Sequence, residues 1–341
     1  MPTDRSVPAQ RALRLAFGTA LCTAASYALA LPLAFISPVL AVLLLASLPR
    51  ALPLKAALVL TLVAALTTSI GLLLVPLLRY YPLSGVLLIS VGLYIAFRYG
   101  LRGGSPLIMM FLVIGMTMIS AASFAAFDLA MAVIGALVKG LLLALAVVGV
   151  SHALFPEPPN SPSPAPPPAL PADEVPRVAW RATLIVLPTF LLALSDPASY
   201  LPIILKAVSL GQQTSTTHTH HAGRELLGST LLAGVLAVLL WCGLSLFVHL
   251  WMFFLWMLLF GLWLARKLYR LSPTQFSPGF WLNTFITMII LLGQSVQDSA
   301  AGKDVYTAFA VRMGLFILVT LYGVLMMHMF AGHKPRRQGV T

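Results

Sequence analysis

The stretch Ala130–Val150 reads AMAVIGALVKGLLLALAVVGV and carries one charged residue, Lys139, among 21. An α-helix crosses the hydrocarbon core of a bilayer with about 20 predominantly apolar residues, so this stretch predicts a transmembrane helix. The whole chain has the same character, because 60% of its 341 residues are hydrophobic and only 9% are charged. A soluble domain has about 25% charged residues, so we exclude a water-soluble enzyme.

Further apolar runs, each bounded by charge, proline or glycine, predict an all-α polytopic membrane protein with about twelve transmembrane helices. Prolines inside or beside several short runs predict kinked or partial spans. The predicted spans are 13–30, 32–48, 56–77, 81–98, 105–122 and 126–150 in the first half, and 179–195, 197–210, 225–246, 248–265, 278–296 and 305–331 in the second.

A proline-rich segment, 155–177, separates the two halves and favours an extended polyproline conformation. It predicts a stiff cytoplasmic linker between a first six-helix membrane repeat, 1–154, and a second one, 178–332. The remaining residues, 333–341, form a basic cytoplasmic tail. No segment is long enough for a separate soluble domain.

The two halves begin alike. The first opens with RALRLA at Arg11–Ala16 and the second with RVAWRA at Arg177–Ala182, each followed by an apolar helix and then a proline-containing one. Such similarity indicates an internal repeat, and an even number of spans in each repeat gives both the same orientation. We therefore interpret 13–30 as a structural span rather than a secretory signal.

The distribution of Lys and Arg predicts the orientation. With the N-terminus in the cytoplasm, seventeen of the 21 cations, Lys206 and Arg224 among them, fall in cytoplasmic segments, and only Arg79 and Lys303 fall outside. This bias follows the positive-inside rule and predicts a multi-pass protein of the inner (plasma) membrane with both termini cytoplasmic. It also explains the net charge of +12 without nucleic acid as a partner.

Three segments carry a resemblance to a known family: RALRLAFGTA at Arg11–Ala20, the run from Ser37 to Arg50, and GRELLGSTLLAG at Gly223–Gly234. Over roughly residues 10–331 the chain resembles the fusaric acid resistance and aromatic acid exporter family of membrane proteins. The similarity is to its compact bacterial branch, which lacks the large cytoplasmic domain. Plant malate channels, in which two six-helix units surround an anion path, are distant kin of that family.

The resemblance implies efflux of small, often aromatic, carboxylate anions, and drug resistance as its result. It also implies a periplasmic adaptor protein of the membrane-fusion type as a partner. The sequence contains no phosphate-binding loop or hydrolase motif, so we expect no enzyme activity, no cofactor and transport driven by a proton gradient. The alternatives are a passive anion channel of the malate-channel type and a non-transporting membrane scaffold.

Two cations lie inside predicted helices, where a charged side chain costs about 2.5–3.5 kcal/mol on insertion scales. Lys139 is about 13 residues into the sixth span, and Arg312 is its counterpart in the twelfth. We predict that both contribute positive potential to a substrate path between the two halves. The alternatives are a snorkelling or aspartate-paired Lys139, and an Arg312 that pairs with Asp304.

Three acids, Asp128, Asp196 and Asp304, are candidates for proton coupling. Asp128 and Asp196 adjoin apolar helices at the predicted outer side, where desolvation favours the protonated form of a carboxylate. Helix capping is the alternative, and the sequence Ser195-Asp196-Pro197 favours it for Asp196.

Charged residues at the cytoplasmic ends of spans predict an entrance for an anion, formed by Arg14, Arg181, Arg224 and Glu225. A nearby histidine-rich stretch, with His218, His220 and His221, lacks close acidic or cysteine ligands apart from Glu225. We interpret it as a polar loop rather than a metal site. Cys22 and Cys242 lie in apolar runs and are predicted to be small buried hydrophobes.

Overall fold

The computed structural model describes residues 6–157, 170–213 and 222–330, which are helical and contain no strand. The first half consists of α1 (Ser6–Ala28), α2 (Ile36–Ser47), α3 (Leu54–Leu73), α4 (Val75–Tyr80), α5 (Pro82–Leu101), α6 (Pro106–Ile114), a π-helical turn (Gly115–Ile119), α7 (Ser120–Ala125) and α8 (Phe127–Leu154). The second half consists of α9 (Val175–Ser195), α10 (Pro197–Gln213), α11 (Ala222–Leu246), α12 (Leu250–Leu268), α13 (Pro278–Ala300) and α14 (Val305–Met329).

Nine helical segments of the described chain are long and apolar enough to cross a membrane. A continuous segment made of α6, the π-helical turn and α7 is one of them, and α3 with α4 is another. Helices α1, α2 and α10 are not among the nine, and α2 has only 12 residues. The prediction of an all-helical, multi-pass membrane protein is confirmed.

Prolines account for two departures from the predicted spans. The third predicted span, 56–77, is interrupted at Leu74 between α3 and α4, because Pro76 cannot donate a helical hydrogen bond and its ring crowds the preceding turn. The second span was expected to start at residue 32, but α2 starts at Ile36. A turn that contains Pro32 precedes it, and the flanking Ala30 and Leu33 have positive φ angles of 47° and 52°.

The helices of each half pack in a definite pattern. In the first half α2 packs on α1 and α8, while α3 packs on α6, the π-helical turn and α8. In the second half α10 packs on α9 and α14, while α11 packs on α13 and α14. Between the halves, α1 lies along α12 in the most extensive helix pair of the described chain, and α5 packs on α9.

Two segments form the centre of the molecule. In the most apolar part of α13, 83% of the residues are buried, and in that of the α6–α7 segment 78% are buried, against 22% for both the α3–α4 segment and α14. Both central segments start with a Ser-Pro pair, Ser105-Pro106 and Ser277-Pro278, and proline is well suited to the first turn of a helix. The polar residues of α13 are therefore held in the interior of the molecule.

Candidate functional site

The most deeply buried cation of the described chain is Lys206, at the middle of α10. Its side chain is 1% exposed. The sequence count assigned Lys206 to a cytoplasmic segment; in the structure it lies inside α10, which continues for seven more residues to Gln213. Helix α10 packs on α9, α14 and α13, and the side of α10 that carries Lys206 is buried in the protein.

Lys206 is held by neutral groups of α13. Its ammonium donates to Thr287 Oγ1 at 3.0 Å and to Asn283 Oδ1 at 3.3 Å. Among the residues that the structure describes, no carboxylate lies within 4 Å of its Nζ. A buried charge is normally paired with an opposite one, so Lys206 is an unusual group that requires a functional explanation.

The hydrogen bonds continue from Asn283 to α11 and back to α10. Asn283 Nδ2 donates to Ser229 Oγ on α11 at 2.6 Å, which fixes the orientation of the amide. Its Oδ1 accepts a second bond, at 3.1 Å, from Gln213 Nε2, which also donates to Ser209 Oγ at 3.0 Å. Asn283 thus connects Lys206 to the side chains of Gln213 and Ser209.

A cavity of ≈650 Å³ opens directly next to these two side chains. Ser209 and Gln213 line it from α10, Leu282 and Ile286 from α13, and Leu43 of α2 contributes from the first half. Asn283 Oδ1 accepts from both Gln213 and Lys206, so a single hydrogen-bonded side chain separates the cavity from the ammonium group. The cavity and Lys206 together form the candidate site.

Aromatic and charged residues line the rim of this cavity. The rings of Phe276 and Phe280 are stacked with centroids 4.1 Å apart, and the Arg224 guanidinium lies 5.3 Å from the centroid of Phe276. Glu225 accepts hydrogen bonds from the Ser277 hydroxyl and, at 3.2 Å, from its backbone N–H. Two of the four predicted entrance residues therefore lie at the mouth of the cavity.

The other two predicted entrance residues lie elsewhere. Arg14, 2% exposed, forms an ion pair with Glu157, which Arg11 also contacts at 2.9 Å. Although partial burial raises it, the hydrogen bonds from Arg11 and Arg14 hold the pKa of Glu157 below its ordinary value. This cluster attaches the start of the proline-rich segment to α1, and Arg181 is buried separately on α9.

The structure does not bring Lys139 and Arg312 to the cavity. Lys139 is exposed on α8, whereas its neighbour Gly140 faces inward against Ser37. Arg312 contacts Asp298 at 2.8 Å, close enough for an ion pair but not aligned as a hydrogen bond. The predicted pairing with Asp304 is therefore wrong, and a substrate-path role for Lys139 and Arg312 stays a prediction.

The three candidate acids are all exposed at helix starts. Asp128 lies in the first turn of α8, and Asp196 directly precedes α10. Asp304 caps α14, and hydrogen bonds from the Thr307 hydroxyl and the Tyr306 backbone N–H hold its pKa below its ordinary value. None of the three lines the cavity, so their coupling role also stays a prediction.

The predicted histidine-rich loop lies outside the described residues. Within residues 6–157, 170–213 and 222–330, no group of three or more His, Cys, Asp or Glu side chains is placed to hold a metal ion. Cys22 is buried as expected, but Cys242 is exposed. The prediction for Cys242 is wrong because an apolar run in a membrane protein has a lipid-facing side as well as a buried one.

Sequence reasoning missed Lys206, although a signal for it is present. Lys206, Ser209 and Gln213 are spaced at three and four residues and therefore share one face of α10. Asn283 and Thr287 have the same spacing on α13. Two polar faces on otherwise apolar helices predict a buried contact between them.

Comparison with known proteins covers the first half only. A family model described as "Protein of unknown function (DUF2955)" matches residues 11–151. No curated protein and no solved structure matches the chain. None of these comparisons names the fusaric acid resistance family, so that resemblance stays an expectation. The first half of this chain is thus similar to a family of membrane proteins of unknown function.

Proposed function

We propose that the protein is an inner-membrane transporter of small organic anions that exports them from the cytoplasm and has no enzyme activity. The observation that carries this proposal is Lys206, a buried lysine with no carboxylate partner among the described residues, one side chain away from an open cavity. When this lysine is protonated its charge is unbalanced, so it attracts an anion more strongly than any neutral solute of the same shape.

This attraction is strong enough to determine that the substrate carries a negative charge. Two unit charges about 7 Å apart, with one side chain between them, still attract by about 2 kcal/mol at an effective dielectric constant of about 20. No aspartate or glutamate of the described chain is within contact distance of Lys206 to cancel this term. The Ser209 hydroxyl, which lines the cavity and accepts from Gln213, supplies a neutral donor that orients a bound carboxylate without adding a competing negative charge.

The volume and the lining of the cavity support a small and partly apolar substrate. Its volume of ≈650 Å³ falls within the range of about 300–1,000 Å³ typical of small-molecule sites. The stacked Phe276 and Phe280 supply an aromatic surface at the rim, beside the guanidinium of Arg224. An aromatic carboxylate, the class expected from the family resemblance, combines the two features that this cavity accommodates.

The proposed architecture is twelve spans in two parallel six-helix repeats. It is supported by the matching contacts of the two halves: α1, α2 and α8 pack on one another as α9, α10 and α14 do. Likewise, α3 contacts the α6–α7 segment and α8 as α11 contacts α13 and α14. The contacts between halves match too, because α1 with α12 corresponds to α9 with α5.

The proposed orientation places both termini and the proline-rich segment in the cytoplasm. With Lys206 removed from the count, sixteen cations remain in the cytoplasmic segments against two outside, and the positive-inside bias persists. The mouth of the cavity then faces the cytoplasm, as an exporter requires. A periplasmic adaptor protein is the proposed partner on the other side.

Uptake of labelled benzoate into proteoliposomes at pH 8 tests this function, with protein-free vesicles as the background. Lys206→Met removes the charge but keeps the length of the side chain, and we expect it to lower uptake at least tenfold. The matched control is Lys55→Met, which removes an exposed lysine from the first turn of another apolar helix and should change uptake less than twofold. Equal uptake by wild type and Lys206→Met would refute the proposed site.

A further inference from the structure

We propose that Lys206 binds the anion and a proton together, so that one proton accompanies each anion through the protein in the same direction. The inference rests on the proposed function and assigns the coupling that sequence reasoning had placed on Asp128, Asp196 or Asp304. Those three carboxylates are exposed at helix ends. Lys206 is the buried titratable group next to the cavity.

The argument starts from the net charge of the site. An ammonium with a bound anion is neutral overall, and so is an empty site with a neutral amine. The two other combinations, an empty ammonium or an anion beside a neutral amine, leave an unbalanced charge in an interior of low dielectric constant. Such charges are strongly disfavoured, so the site exchanges mainly between its two neutral states.

The surroundings of Lys206 provide no fixed charge that would cancel its own. On α13, Asp298 is engaged by Arg312 of α14. On α14, the Tyr322 hydroxyl donates to Leu184 O at 3.1 Å, and His328 is exposed in the last turn.

The remaining neighbours of α10 do not supply a negative charge either. On α9, the charged residues are the exposed Arg177 and the buried Arg181, both cations. The α6–α7 segment, residues 106–125, contains no titratable side chain. At the cavity rim, Glu225 is bonded to Ser277 and accompanied by Arg224. An incoming anion is therefore the group that balances a charged Lys206.

Hydrogen bonding is satisfied in both states. An ammonium has three N–H donors, of which two go to Asn283 and Thr287, so the third is available to an anion. A neutral amine keeps two donors and gains a lone pair. The Thr287 hydroxyl oxygen lies 3.0 Å from Nζ, so this hydroxyl is the donor placed to meet that lone pair.

The proton takes a short path. When an anion enters the cavity, Lys206 Nζ gains a proton from the aqueous solution that reaches Ser209 and Gln213. When the anion leaves, the proton returns to solution on the side to which the site is then open. The loaded carrier is electrically neutral, so export follows the outward gradient of the anion and is opposed by an inward proton gradient. This coupling differs from the proton-driven export expected from the sequence.

Calorimetric titration of the purified full-length protein with benzoate tests this proposal. Benzoate is ionised throughout pH 6–9, so any proton taken up on binding is bound by the protein. Titrations in buffers of different ionisation enthalpy give the number of protons taken up per anion. We expect this number to approach one at the alkaline end, where the affinity should fall up to tenfold for each pH unit.

Lys206→Arg sharpens the test because arginine stays charged at every pH used. We expect this variant to bind benzoate without proton uptake and with an affinity that does not vary with pH, while Lys55→Arg, at an exposed lysine in the first turn of α3, behaves as wild type. Benzoate binding by the wild type without proton uptake over the whole range would overturn the inference and leave the proposed function intact. Failure of the wild type to bind benzoate at all would overturn the proposed function itself.

Discussion

In the first half α3 meets the central segment through its backbone, whereas in the second half the proposed counterpart, α11, meets α13 through polar side chains. A Cβ atom at Gly71 of α3 would overlap the Gly115 carbonyl oxygen, and the Ser120 hydroxyl donates to Gly71 O at 3.0 Å. On α11, Ser229 instead receives the bond from Asn283 that anchors the Lys206 cluster.

This difference indicates that the crossing in the first half contributes to stability, whereas the one in the second half contributes to substrate binding. A close glycine contact lets two helices approach in an apolar environment and needs no charged group. The π-helical turn at Gly115–Ile119 belongs to the same contact. At the corresponding crossing the second half places the polar side chains of Ser229, Asn283 and Lys206. We infer that the first half is mainly a scaffold and that the second half holds the anion site.

Replacement of the Asn283 side-chain amide should have the largest effect on both anion transport and stability. Asn283→Leu removes the acceptor that Lys206 and Gln213 share, and leaves buried donors unsatisfied. We expect benzoate uptake to fall at least tenfold and the free energy of unfolding to fall by about 2–4 kcal/mol. Proteoliposome uptake and thermal unfolding in detergent measure the two effects.

Asn283→Asp is the matched control for that change. It places a carboxylate beside Lys206, so the buried charge becomes paired and the melting temperature should stay close to that of the wild type. Anion uptake should nevertheless be lost, because the positive charge is already balanced. If Asn283→Asp transports benzoate normally, the role of an unbalanced Lys206 is wrong.

A substitution in the first half should affect stability alone. Gly71→Ala forces α3 away from Gly115, and overpacking of this kind costs about 1–3 kcal/mol. We expect a lower melting temperature but an unchanged benzoate affinity for the protein that remains folded. Gly135→Ala on α8 is the control, because nothing lies within 4 Å of a Cβ at that position. A large loss of affinity in Gly71→Ala would contradict the division between scaffold and site.

The smallest effect is expected at the ion pair that joins the proline-rich segment to α1. Glu157→Gln leaves Arg14 buried without its partner, which should cost about 1 kcal/mol at pH 7. Because folding lowers the pKa of Glu157, its contribution is complete above the ordinary value for glutamate and is lost as the pH falls toward the depressed value.

Thermal unfolding of wild type and Glu157→Gln between pH 7 and pH 4 measures this contribution. The two melting temperatures should differ at neutral pH and converge at the acidic end. A difference that stays constant down to pH 4 would show that the carboxylate charge is not what Arg11 and Arg14 require.

The helical membrane fold could be predicted because the sequence shows the length of each apolar run, and that length indicates whether a helix can span a membrane. The run around Lys139 gave α8, and every other predicted span overlaps a described helix. The positions at which a helix is interrupted are harder to predict, since Pro76 lies at an interruption whereas Pro188 and Pro202 lie inside continuous helices. Neighbouring helices compensate the missing hydrogen bonds in some places and not in others.

The site could not be predicted in the same way, and two lysines show why. Lys139 and Lys206 both interrupt apolar helices, yet one is exposed and the other is 1% exposed. Lipid and protein interior are equally apolar, so hydrophobic periodicity does not reveal which face of such a helix turns inward. Only the partner helix decides, and the partner of Lys206, Asn283, is distant in the sequence.

The pairing of α1 with α12 has a consequence for biosynthesis. About 220 residues separate the end of α1 from the start of α12. At a synthesis rate of about 5–20 residues per second, the first helix waits roughly 10–45 seconds in the membrane before its main partner emerges from the ribosome. During that interval the side of α1 that later packs on α12 needs another neighbour, and the insertion machinery or lipid must cover it until α12 is inserted.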